Sequence, residues 1–281
     1  MSNPSKAQRR DDARAQALKL REEQQRTAKR QRTVAISLLA VGLLVVGGIV
    51  FWIFSNMPEP APDFSEVEDP LGSVSAPATA TDAGGIRVGQ DGVAGDDASG
   101  DDPIDVVVYS DFMCPLCGAF EQLNGPTLTE LRENGEVVVE YRPVSILDRY
   151  SQGTEFSTRA ATASALVADQ DPETFVAFTE ALFAGQPAEN TQGLSDEEIA
   201  TIARDAGVDE AVAAAIEDGS YVEGDDSFEP WVLAASEQAS RDFPDGFGTP
   251  TILIDGQNLT DLGVDWRIEG ALEAAIEQVR G

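Results

Sequence analysis

The chain has 281 residues and only two cysteines, Cys114 and Cys117, with Pro115 and Leu116 between them. On a helix that spacing places both sulfurs on one face a turn apart, near enough to close a disulfide. Pro115 has the fixed φ that suits the first helical position, where its missing N–H loses nothing. Cys114 is therefore expected at the helix N-cap, facing unpaired backbone N–H groups and the positive end of the macrodipole. Both favour the thiolate, which is the reactive form. The spacing makes Cys114 the attacking sulfur and Cys117 the sheltered partner. There is no histidine, which removes Ser–His–Asp triads, Cys–His pairs and imidazole metal sites. Two thiolates fall short of the roughly four ligands of a zinc site. A four-residue loop constrains the unfolded chain little, so the pair is a poor staple. No cofactor and no metal is expected.

The elements around the pair are those that present a loop at the end of a sheet. Ile104–Tyr109 (IDVVVY) and Val137–Tyr141 (VVVEY) are near-continuous apolar runs, as in strands buried on both faces. Between them a helix is expected from Pro115 to about Asn134, interrupted at Gly125-Pro126. Strand, helix, strand makes a parallel crossover. Thr251–Ile254 (TILI) is a third strand, closed by the turn Asp255-Gly256. Ile86 and Val88 suit a short edge strand. A last helix is expected over Trp266–Val279, with Ile268, Leu272, Ala275, Ile276 and Val279 on one stripe. Between the second and third strands, residues 151–243 lack strand character. Helices are expected there over 158–169, 173–184, 196–206, 209–218 and about 231–240, with a capping box at Ser195 and Glu198. The loop residues Phe112, Met113 and Leu116 are candidates for an apolar rim around the reactive sulfur, and Asp111 for a cap on the turn before the helix.

These features resemble the thioredoxin fold: strand, Cys-Pro-x-Cys, helix, and a later Gly248-Thr249-Pro250-Thr251 similar to that fold's cis-proline loop. With SDFMCPLC, FVAFTEALF and GTPTILIDG, and a large helical insertion, the stretch from about Gly84 to Gly281 resembles the DsbA family of extracytoplasmic disulfide oxidants. The resemblance implies an α/β, thioredoxin-like fold with a helical insertion at about 151–243, and a thiol–disulfide oxidoreductase. It implies Cys114 and Cys117 as the catalytic redox disulfide. It places Thr249 and Pro250, with Phe112 and Leu116, at the substrate, and Asp111 and Pro115 in support. It also implies exported proteins with free cysteines as substrates, and a quinone-linked membrane reoxidase of the DsbB or vitamin-K-epoxide-reductase type. Two departures stand out. Where many relatives carry an acid six residues before the first cysteine, this chain has Val108, with Asp105 further back. Where the strongest oxidants carry histidine between the cysteines, this chain has Leu116, so a less depressed Cys114 pKa and a less oxidising couple are expected.

Charge divides the chain. Residues 1–32 hold ten Lys/Arg against four Asp/Glu, and residues 33–54 (TVAISLLAVGLLVVGGIVFWIF) hold none. The remainder carries nine arginines against 46 acids. So acidic a surface repels phosphate backbones and excludes nucleic acid as a partner. The 22 uncharged residues of 33–54 would span roughly 33 Å as a helix, enough to cross a bilayer. With the basic flank staying inside, residues 1–32 are expected as a cytoplasmic tail, 33–54 as a transmembrane anchor, 55–83 as a disordered Pro/Ala/acid-rich linker, and 84–281 as an extracytoplasmic domain. Thiols there meet oxidising conditions. The leading expectation is an oxidant of exported proteins. The alternatives are a membrane-tethered reductase of the cytochrome c maturation type and a thioredoxin-fold binding module without turnover.

Overall fold

The computed structural model describes residues 62–224 and 226–281 together with some positions between 21 and 52. The chain divides into two units, Met1–Pro60 and Ala61–Gly281. In the first, residues 44–52 are helical, while 33–41, 43, 53 and 54 of the expected anchor lie outside the described residues, as does most of the basic tail. Among the described residues no helix is long and apolar enough to cross a membrane.

The second unit is built on a five-stranded sheet: β1 (Ile86–Val88), β2 (Ile104–Ser110), β3 (Val137–Pro143), β4 (Thr251–Ile254) and β5 (Gln257–Asn258), in spatial order β1-β3-β2-β4-β5. β2 and β3 run parallel, with Val108 opposite Tyr141, and every other pairing is antiparallel. β2 is apolar from Val106 to Tyr109 because both of its faces are covered there. Val106 and Val108 enter the main core with Phe120 and Leu128 of α1 (Pro115–Glu133) and Leu272 and Ile276 of α7 (Ala271–Arg280). Val107 and Tyr109 point the other way, into a smaller cluster with Ala239 of α6 (Glu229–Asp242). α1 runs on through Pro126 without interruption. Pro126 is exposed, so the carbonyl it leaves unpaired on the preceding turn can take water instead.

The insertion holds α2 (Phe156–Gln170), α3 (Phe175–Ala184), α4 (Asp196–Asp205) and α5 (Glu210–Glu217), with α6 returning to the sheet. Ser195 and Glu198 form the expected capping box. α7 begins five residues later than its periodicity suggests. The Asp265 carboxylate accepts the Arg267 N–H and turns the chain, and Gly270 caps the helix in a left-handed conformation. Ile268 therefore lies outside the apolar stripe, 61% exposed.

Residues 62–83, read as part of a spacer, are held against the domain. Arg241 of α6 donates to the carbonyls of Phe64 and Val67, both at 2.7 Å, and Asp169 of α2 accepts the Ala78 N–H at 2.7 Å. Composition misses these anchors because their partners lie 91 to 177 residues away.

Candidate active site

The antiparallel pairing of Tyr109 with Thr251 brings the end of β2 beside the start of β4. The loop leaving β2 carries the cysteines, and the loop entering β4 carries Pro250. Two residues 135 positions apart, Cys114 and Thr249, thus meet at the ends of adjacent inner strands. The Thr249–Pro250 bond is cis, and the Cys114 thiol donates to the Thr249 carbonyl at 3.2 Å.

Cys114 is the N-cap of α1 with Pro115 first in the helix, and its carbonyl accepts the Cys117 and Gly118 N–H groups. Both cysteines are present as thiols. Their acidities diverge. A hydrogen bond from the Cys117 thiol, helped by the Thr249 side chain and the N–H groups of Cys117 and Leu116, pulls the Cys114 thiol down to about 6 despite its burial. Cys117 is 1% exposed, and burial pushes its thiol well above the ordinary range, with its neighbour's sulfur adding to the effect. One sulfur is poised as an anion and the other is kept protonated.

Asp111 does more than cap a turn. It is fully buried, and its two oxygens accept four hydrogen bonds: Met113 N–H (2.8 Å) and Ser157 Oγ (2.7 Å) on one, Ile146 N–H (2.9 Å) and Leu147 N–H (3.0 Å) on the other. Those donors come from the cysteine loop, the segment after β3 and the first turn of α2. One carboxylate fastens three stretches of chain together. Burial outweighs the four bonds and raises the carboxyl to about 6.

Gln186, just past α3, is a site residue that no sequence pattern indicates. Its Nε2 donates to the Phe112 and Cys114 carbonyls, each at 2.8 Å, so the insertion grips the reactive loop on both sides of Met113. Gly118 makes room for it: a Cβ there would lie 2.3 Å from Gln186 Oε1.

Three kinds of likeness accompany this geometry. A family model described as thioredoxin matches residues 92–274. Reduced DsbA from Mycobacterium tuberculosis is 31% identical over 70% of this chain and 93% of its own, with a TM-score of 0.52. The chain belongs to the DsbA-like thiol–disulfide oxidoreductase family. Reduced DsbG from Mycobacterium tuberculosis is similar too, 29% identical over 76% of this chain and 93% of its own, with a TM-score of 0.53. A curated relative is the serine/threonine-protein kinase PknE of Mycobacterium tuberculosis, 31% identical over 144 residues. The match covers half of this chain but only a quarter of the kinase.

For a DsbA-like protein, the expected apolar rim needs correction. Phe112 does not rim the site: it is 2% exposed and stacked on Phe183 at 4.7 Å between ring centroids. Burying such a ring contributes roughly 1.5–3 kcal/mol, which turns it inward even beside a reactive loop. Met113 is likewise fully buried, whereas Leu116 is 52% exposed beside the cysteines. Asp105 does not stand in for an acid at Val108. Val108 faces the main core, while Asp105, an odd number of residues away on β2, points to the opposite face and pairs with Arg87 at 2.7 Å. Among the described residues no group of three or more metal-ligating side chains occurs.

Proposed function

We propose that the chain is an extracytoplasmic, membrane-anchored oxidant that introduces disulfides into exported proteins through Cys114 and Cys117. The observation that carries this reading is the unequal pair: a low-pKa sulfur at a helix N-terminus and, one turn on, a buried sulfur of high pKa. In the disulfide state, a client thiolate attacks Cys114 Sγ. The Cys114–Cys117 bond breaks, and Cys117 leaves and takes a proton. The client's second thiolate then attacks its own sulfur in the mixed disulfide, and Cys114 leaves as a thiolate. Two electrons now reside on the dithiol. The helix N-terminus favours that last departure, because a lower leaving-group pKa speeds exchange. Pro250 and Thr249, beside the attacked sulfur, are assigned to align the client strand, with Leu116 as an apolar contact. Asp111 and Pro115 hold the loop and the helix start in place.

The 33–54 segment is assigned as the anchor on its length and flanking charge, and a quinone-linked membrane reoxidase as the acceptor of the electrons. The test uses two measurements. Cys117→Ala should accumulate mixed disulfides with exported proteins in cells, and the purified protein should oxidise a reduced, unfolded substrate. Turnover only when a reductant is supplied would establish the reductase instead, and neither activity nor trapped clients would leave a binding module.

A further inference from the structure

The redox chemistry makes no use of the groove that runs beside it. Along α1, Gly118, Glu121 and Gly125 fall on one stripe, and between this stripe and α3 lies a groove of about 820 Å³. The glycines hollow it out. A Cβ on Gly125 would meet Glu121 Oε1 at 2.6 Å, just as one on Gly118 would meet Gln186. Pro115 and Phe183 line it beside the reactive loop, and Glu121, Glu130, Glu133 and Glu180 supply its charge.

No basic side chain lines the groove. Beyond residue 32 the chain has nine basic residues, all arginine, and each is held by a carboxylate or a main-chain carbonyl. Arg132 comes within 3.9 Å of Glu133 but is buried against the carbonyls of Gly89 and Gln90. Among the described residues Glu180 accepts only a long bond from Thr129, at 3.5 Å. The part-buried Glu121 carboxylate has no hydrogen-bond or ion-pair partner among the described residues. Burial, and then the charge of Glu180, push it up to about 7. The Glu121 carboxylate, largely withdrawn from water beside the exposed Glu180, is destabilised unless a cation joins the two. The folded domain has no cation left to offer.

We propose that the groove receives a lysine or arginine side chain of the client polypeptide, close in sequence to the cysteine being oxidised. This rests on the function proposed above and names the clients' chemical class. Glu121 follows Cys114 by seven residues, about 10 Å along the helix, a distance that an extended client covers in about three residues. Phe183 and Pro115 supply apolar surface for the aliphatic stem of such a side chain.

Three reduced peptides test this, identical except for lysine, norleucine or glutamate three residues from the cysteine. With the full-length oxidised protein, kcat/KM should be about fivefold higher for lysine than for norleucine, the ratio given by roughly 1 kcal/mol. Glutamate should be slowest, and salt should narrow the spread. The series leaves the protein unaltered, so misfolding of a variant cannot mimic the result. Glu121→Gln and Glu180→Gln should then each reduce the lysine preference. Equal rates for all three peptides would overturn the proposal. So would calcium alone binding the protein, by calorimetry, through Glu121 and Glu180 with no lysine preference, since the carboxylates would then form a metal site. Calorimetry with serine in place of the peptide cysteine reads the groove without any redox step. If no peptide is oxidised, the proposed function falls, and the binding preference still decides the groove.

Discussion

The side-chain amide of Gln186 donates to the main-chain carbonyl of Cys114 at 2.8 Å. The amide comes from the helical insertion and the carbonyl from the thioredoxin-like core, and the same nitrogen also holds Phe112. The shape of the reactive loop is therefore set jointly by both parts of the domain.

Gln186→Leu should remove both bonds and lower stability by about 1–2 kcal/mol, read by denaturant unfolding. It should also slow alkylation of Cys114, which a purely structural loss elsewhere would leave unchanged. Gly118→Ala should reproduce this by displacing the amide, and the double variant should be little worse than either single one. Additive losses would show that the two residues act separately.

The Cys114 thiol, lowered to about 6 from 9.0, makes the dithiol form pH-sensitive. Its folded pKa is depressed, so the thiolate contributes stability that is complete above about pH 9 and lost as pH falls through about 6. Asp111 titrates in the same region but is present in both redox forms. The difference in unfolding free energy between dithiol and disulfide protein should therefore shift toward the disulfide form on acidification. Alkylation of Cys114 should fall about tenfold per pH unit below its pKa.

A thiol near 6 lies between the values of about 3.5 for DsbA and about 7 for thioredoxin. The reduction potential should accordingly fall between about −270 mV and about −120 mV. Leu116 is half exposed, so Leu116→His adds a thiolate-stabilising donor without disturbing the core. It should raise the potential by a few tens of mV, at about 30 mV per 1.4 kcal/mol. Equilibration with glutathione measures both, and a parent value near −120 mV would refute the expectation.

Ser157→Ala removes one of the four donors to the buried Asp111 carboxylate. A bond to an ionised group contributes about 1.5–3 kcal/mol, so the variant should be about 2 kcal/mol less stable where Asp111 is ionised. Its carboxyl should titrate higher than about 6. Because that folded pKa is raised above 3.8, the charged form destabilises the fold as pH rises between those values. The gap between parent and variant should be wide at about pH 8 and close at about pH 4. Unfolding midpoints across that range check it.

Much of the scaffold was legible because its signals are local. Ile104–Tyr109 is near-continuously apolar, and the structure buries both faces of its Val106–Tyr109 stretch. Ser195 and Glu198 are three apart, as a capping box demands. Cys114, Pro115 and Cys117 place a helix start within four residues. What escaped depends on distant partners. Phe112 reads as surface until Phe183 arrives to stack on it. Gln186 is one polar residue among many until the fold sets it on two carbonyls. Residues 62–83 look like a spacer until Arg241 and Asp169 take hold of them.

The three-way fastening at Asp111 has a consequence for biogenesis. A nascent chain whose residues 146, 147 and 157 have not reached the carboxylate has two ordinary thiols on an unsupported loop. The reactive loop therefore takes its final shape only when the segment after β3 and the first turn of α2 have docked on that one carboxylate, so the catalytic geometry is a late product of folding.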